Sequence, residues 1–148
     1  DLQPFFHHEI FHIYHSQFLE DDSDDVAAAI WQEGLAQVVA KSLNPDVEGV
    51  NLFGLPKEMP QRSEAMLSTL ASKLLEVLDS TSRDDYGKFF FGNNGSDEIP
   101  PRSGYYLSYL VVQKLAKKYS LQEMAHSKLA VIKPEIKMAL EELANGLR

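Results

Sequence analysis

Leu67-Ser68-Thr69-Leu70-Ala71-Ser72-Lys73-Leu74-Leu75-Glu76-Val77-Leu78 carries apolar side chains at 67, 70, 71, 74, 75 and 78. Steps of three and four residues gather those groups on one side of an α-helix, because 3.6 residues complete a turn. Outward from this stripe the chain predicts helix after helix. On its N-terminal side, residues 45–62 hold three prolines and two glycines and predict a long loop. A helix over residues 24–43 ends at Asn44-Pro45, since proline disfavours helical backbone in the residue before it. An earlier helix, about residues 4–19, opens on Pro4, where the first turn needs no N–H. The acidic run over residues 20–25 breaks it and supplies caps for the next.

On the C-terminal side, residues 80–103 are expected to be irregular, with Phe89-Phe90-Phe91 followed by the turn-rich Gly92-Asn93-Asn94-Gly95. A buried helix over residues 105–119, starting at Ser103 or Gly104, is apolar on every face in its first half. Ser120-Leu121-Gln122-Glu123 fits a capping box for a short helix. Pro134 opens a last helix striped by Ile136, Ala139, Leu140, Leu143 and Leu147. Residues 50–53 and 88–91 are the two candidate extended pieces. The expectation is a mainly α fold of about six helices, with little or no β-sheet, in one domain over residues 1–148.

Composition narrows the function classes. The 148 residues are 44% hydrophobic, enough for a core, and the net charge of -8 offers no basic stripe for a nucleic-acid backbone. Apolar runs last only a few residues, so no membrane span is expected. With no cysteine, disulfides, thiolate metal sites and a cysteine nucleophile are all excluded.

The chemistry lies in His8-Glu9-Ile10-Phe11-His12, the pattern H-E-x-x-H on a predicted helix. Residues four apart share a helix face, so the two imidazoles can converge on one cation. Glu9 is offset around the helix and can reach a water at that cation without binding it. Residues 13–32 then separate His12 from Glu33 in Trp31-Gln32-Glu33-Gly34-Leu35-Ala36. That length allows a helix end, a turn and a return helix bringing Glu33 to the same ion. Gly34 and Ala36 leave room for a close helix approach. Two imidazole nitrogens, one carboxylate oxygen and a fourth position open to water make a catalytic rather than a structural zinc site.

H-E-x-x-H, about twenty residues, then W-x-E-G-x-A resembles the gluzincins, the zinc peptidase group that includes thermolysin-like enzymes and the zinc aminopeptidases. The stretch from Pro100 to Tyr109 is similar to bacterial domains described as zinc-dependent proteases, in which a Gly-Tyr helix follows the metal helices. The resemblance implies Zn2+ held by His8, His12 and Glu33, with Glu9 as general base and acid, and a peptide or protein substrate. Tyr105 or Tyr106 is then the candidate donor to the tetrahedral oxyanion. Zinc peptidases of this kind place a β-sheet before the metal helix, whereas seven residues precede His8. Either the chain is excised or processed and that sheet lies upstream, or this chain holds the site with an altered cleft. The first residue, Asp1 rather than Met, and the resemblance point to a periplasmic or secreted setting.

Other candidates have plainer expectations. His15 is read as a residue behind the metal ligands or an exposed imidazole. A metzincin pattern would need a glycine where the chain has His15 and a histidine where it has Phe18, so that class is excluded. His126 is read as structural, Gln37 as an exposed glutamine one turn after Glu33, and Arg102 as an exposed loop arginine. Phe89, Phe90 and Phe91 are assigned to core. The acidic run lacks the alternation, glycine and terminal glutamate of a calcium loop. Two competing readings remain: a zinc-stabilised helical binding module without activity, and a metal-free helical interaction domain.

Overall fold

Helix α2 (Val26–Leu43) is the axis of the fold in the computed structural model, which describes residues 1–19 and 23–148. Asp25 starts it. One carboxylate oxygen accepts from the Ala28 N–H at 2.9 Å and the other meets Lys133 at 2.7 Å. The start of the expected acidic run, residues 20–22, lies outside the described residues. Ala27, Ala28, Gly34, Ala36 and Ala40 are all buried along α2. Such small side chains let flanking helices approach closely. Helix α1 (Gln3–Ser16) lies along one side of it and buries Pro4, His8, Phe11 and His15, while Phe6, Ile10 and Ile13 face outward.

Four shorter elements follow: α3 (Val50–Phe53), α4 (Met59–Ala65), α5 (Leu67–Glu76) and α6 (Arg83–Phe90). Helix α7 (Ser103–Leu115) makes the most extensive contact with α2. The two cross at Gly34, where an added Cβ would meet the Ser108 carbonyl and stand 2.6 Å from Val112 Cγ2. Helix α8 (Leu121–Ala125) carries the expected capping box, with the Glu123 N–H donating to Ser120 Oγ at 3.0 Å. Helix α9 (Leu129–Ala144) closes the bundle against α5. Trp31, Leu35, Leu70, Leu74, Leu107, Ile136 and Leu140 form its centre.

The fold is mainly α as expected, with no strand among the described residues. Four details correct the sequence reading. Nine helices appear among the described residues rather than about six. The expected loop over residues 45–62 contains α3 and the start of α4, so residues 50–53 are helical, not extended. The irregular stretch over residues 80–103 contains α6, so the second extended candidate is helical up to Phe90. Its Ser82 cap and the acidic Asp84 and Asp85 of its first turn are ordinary helix-start chemistry. Finally, the last helix begins at Leu129, with Pro134 inside it. An interior proline costs about 3 kcal/mol, and burying Leu129 and Ile132 returns roughly 1.5–3 kcal/mol each, so packing decides.

Candidate metal centre

One turn of α1 separates His8 from His12, and their rings meet edge to face with centroids 4.6 Å apart. Helix α2 runs back alongside and presents Glu33 to both. His8 Nε2 and His12 Nε2 lie 2.9 Å apart, and Glu33 Oε2 lies 3.0 Å from the first and 3.2 Å from the second. Among the described residues this is the one His, Asp and Glu group with the spacing to hold a metal ion. Corners of a tetrahedron with zinc bonds of about 2.1 Å are roughly 3.4 Å apart, close to these separations. Three lone-pair atoms at such distances need a cation between them, either a proton or a metal. The donor set therefore fits zinc chemically as well as geometrically.

The titration behaviour reflects that crowding. Burial pushes the Glu33 carboxyl upward, but hydrogen bonds from His12 and His8 and their charge override it and hold Glu33 at about 2. Burial likewise lowers His12, yet the Glu33 carboxylate more than offsets this and raises it above its ordinary value.

Gln37, one turn after Glu33, corrects the sequence reading: it is only 3% exposed. Its amide nitrogen donates to the Leu52 carbonyl of α3 at 2.9 Å, which turns Oε1 toward His8 Nδ1 at 2.5 Å. His8 Nδ1 must then carry the hydrogen, leaving the Nε2 lone pair facing His12 and Glu33. The spacing from Glu33 hinted at this; burial by α3, read in sequence as loop or strand, could not be foreseen.

The three residues open onto a cavity of about 440 Å³ between α1, α3 and the start of α7, a size in the range of small-molecule and peptide sites. Glu9 lines it and is exposed. Tyr105 lines it too, half-buried, its hydroxyl pushed up to about 12 by burial and by the nearby Glu33 charge. Tyr106 is turned elsewhere and donates to Glu64 Oε2 at 2.5 Å, so of the two candidate tyrosines only Tyr105 is brought to the cavity.

Arg102 is a second correction. It is the one non-glycine residue with positive φ (63°) among the described residues, a conformation that costs an L-residue roughly 1–2 kcal/mol. Its Nη1 donates to the Phe53 carbonyl at 3.0 Å and the Leu55 carbonyl at 2.6 Å. The guanidinium lies 4.5 Å over the Tyr105 ring and lines the cavity.

The remaining histidines stand apart. His15 is fully buried against Phe11 and Trp31, and neither of its nitrogens has a partner among the described residues, so it is not the exposed imidazole that was one expectation. His7 Nδ1 faces the Asn44 amide at 2.8 Å. His126 is exposed, paired with the Tyr14 hydroxyl at 3.1 Å and Phe18 edge to face. Phe89 and Phe90 are core, as expected, whereas Phe91 is half-buried under Arg83.

A protein-family model described as "Predicted Zn-dependent protease (DUF2268)" matches residues 1–133. No curated protein and no solved structure matches the chain. No helix among the described residues is long and apolar enough to cross a membrane.

Proposed function

The chain belongs to the predicted Zn-dependent protease family, and from that premise we propose that it is a gluzincin-type zinc peptidase, residues 1–148 forming one such domain. The observation that carries this reading is the meeting of His8 Nε2, His12 Nε2 and Glu33 Oε2 within 3.2 Å of one another. These three residues are the zinc ligands. Gln37 orients the first of them. A zinc ion held there supplies Lewis acidity, polarising a carbonyl and bringing the pKa of water toward neutrality.

The other roles fall to cavity side chains. Glu9 takes the proton from the attacking water as the new C–O bond forms, and returns it to the amine nitrogen as the C–N bond breaks. The products are a carboxylate and an amine. Tyr105, protonated at any physiological pH, donates its O–H to the oxygen on which negative charge develops.

The test is Glu9→Gln. Its carboxamide cannot accept a proton, so zinc content stays at the wild-type level while peptide cleavage falls by at least about a hundredfold. Full cleavage by that variant would overturn the mechanism. Zinc bound without cleavage by wild type would leave a zinc-stabilised binding module.

A further inference from the structure

The cavity has an uneven charge pattern. Asp1, Glu9 and Glu33 contribute carboxylates, and the one lysine or arginine along its lining is Arg102. No carboxylate pairs with Arg102 among the described residues. Of its five N–H donors, those on Nη1 go to the carbonyls of Phe53 and Leu55. The guanidinium carbon also lies 4.5 Å from the centre of the Tyr105 ring. A surface arginine needs neither a left-handed backbone nor such a double anchorage. The anchorage holds a planar, permanently charged fork in place on the lining of the cavity that His8, His12 and Glu33 also line, with donors to spare. That fork matches a carboxylate in shape and charge.

We infer that Arg102 binds the free C-terminal carboxylate of a peptide substrate, so that the site cuts peptides close to their C-terminal end. The inference rests on the peptidase reading. The C-terminus is the one carboxylate every peptide carries whatever its sequence. Leu2, Phe5, Leu52 and Phe53 line the same cavity and suit an apolar side chain beside it. A cavity of about 440 Å³ has room for a short peptide end rather than a long segment.

The experiment compares N-acetyl-Gly-Ala-Ala-Phe as the free acid and as the C-terminal amide, with zinc-loaded protein. Wild type should show kcat/KM for the acid at least about tenfold above that for the amide. In Arg102→Gln that ratio should fall to about one, and Arg102→Lys should restore part of it. Only the ratio is read, so lost anchorage of residues 53–55, which lowers both rates together, does not imitate the effect. A second readout is calorimetric binding of N-acetyl-Ala-Phe acid and amide to the metal-free chain, where the acid should bind more tightly. Equal cleavage of acid and amide by wild type, or preference for an amidated peptide with an internal Asp, would overturn the inference and leave the peptidase reading standing. Cleavage of neither would overturn both.

Discussion

Gln37 Oε1 stands 2.5 Å from His8 Nδ1, while the same side chain donates to the Leu52 carbonyl at 2.9 Å. The orientation of a ring on α1 is thereby set by the backbone of α3, through a glutamine on α2. The tautomer that leaves His8 Nε2 free follows from the Leu52 carbonyl, which fixes the end of the Gln37 amide that faces the ring.

The first expectation concerns that relay. Gln37→Leu removes the amide, acceptor included, and leaves an apolar side chain of similar size. Zinc affinity should fall by about 10–100-fold, the usual effect of deleting the partner of a metal-binding histidine. Chelator competition measures it; an unchanged affinity would mean that packing alone orients His8.

Proton competition gives the second. In the metal-free protein burial lowers the His12 pKa, but the Glu33 carboxylate outweighs it and raises His12 above its ordinary value, so the centre keeps its proton to a higher pH than a free histidine would. Zinc must displace it. Affinity should weaken by about tenfold per pH unit once pH drops below the His12 pKa. Titrations between about pH 8 and about pH 5 check this, and a flat profile would contradict it.

His15, which lies outside the ligand set, supplies a third. Burial holds it down at about 4, with His12 and His126 adding repulsion, against an ordinary value of 6.5. Between those values the unfolded chain takes up a proton that the folded chain refuses. Stability is therefore lost as pH falls from about 6.5 toward 4, by about 3 kcal/mol in all. Denaturant unfolding of the metal-free protein at several pH values should show the decline, and His15→Leu should lessen it relative to wild type.

The fourth tests the crossing of α2 and α7. Gly34→Ala drives a methyl group into the Ser108 carbonyl and Val112. A backbone carbonyl cannot swing aside, so the helices must separate, at a cost of about 1–3 kcal/mol. Because Gly34 adjoins Glu33, zinc affinity should fall along with melting temperature.

Much of this architecture was legible in the sequence. Helix α5 has a clear apolar stripe, α1 and α2 are bounded by Pro4, the acidic run and Asn44-Pro45, α7 is a long apolar run, and the box at Ser120 is a local signal. The spacing from His12 to Glu33 also anticipated that two antiparallel helices would bring these side chains together. Short elements escaped: α3 spans four residues and α4 seven, in a stretch whose prolines and glycines suggest a loop. Pro134 misled because tertiary burial of Leu129 and Ile132 outweighs a local penalty. Gln37 and Arg102 share a different cause: each is defined by α3 or the turn after it, which no local pattern near residues 37 or 102 encodes.

The most direct test of the central claim is zinc content by elemental analysis of wild type and His12→Ala, purified without added metal or chelator. With His8, His12 and Glu33 as ligands, wild type carries about one zinc per chain and the variant almost none. Zinc absent from wild type and not taken up on addition, or retained in full by His12→Ala, would contradict the account.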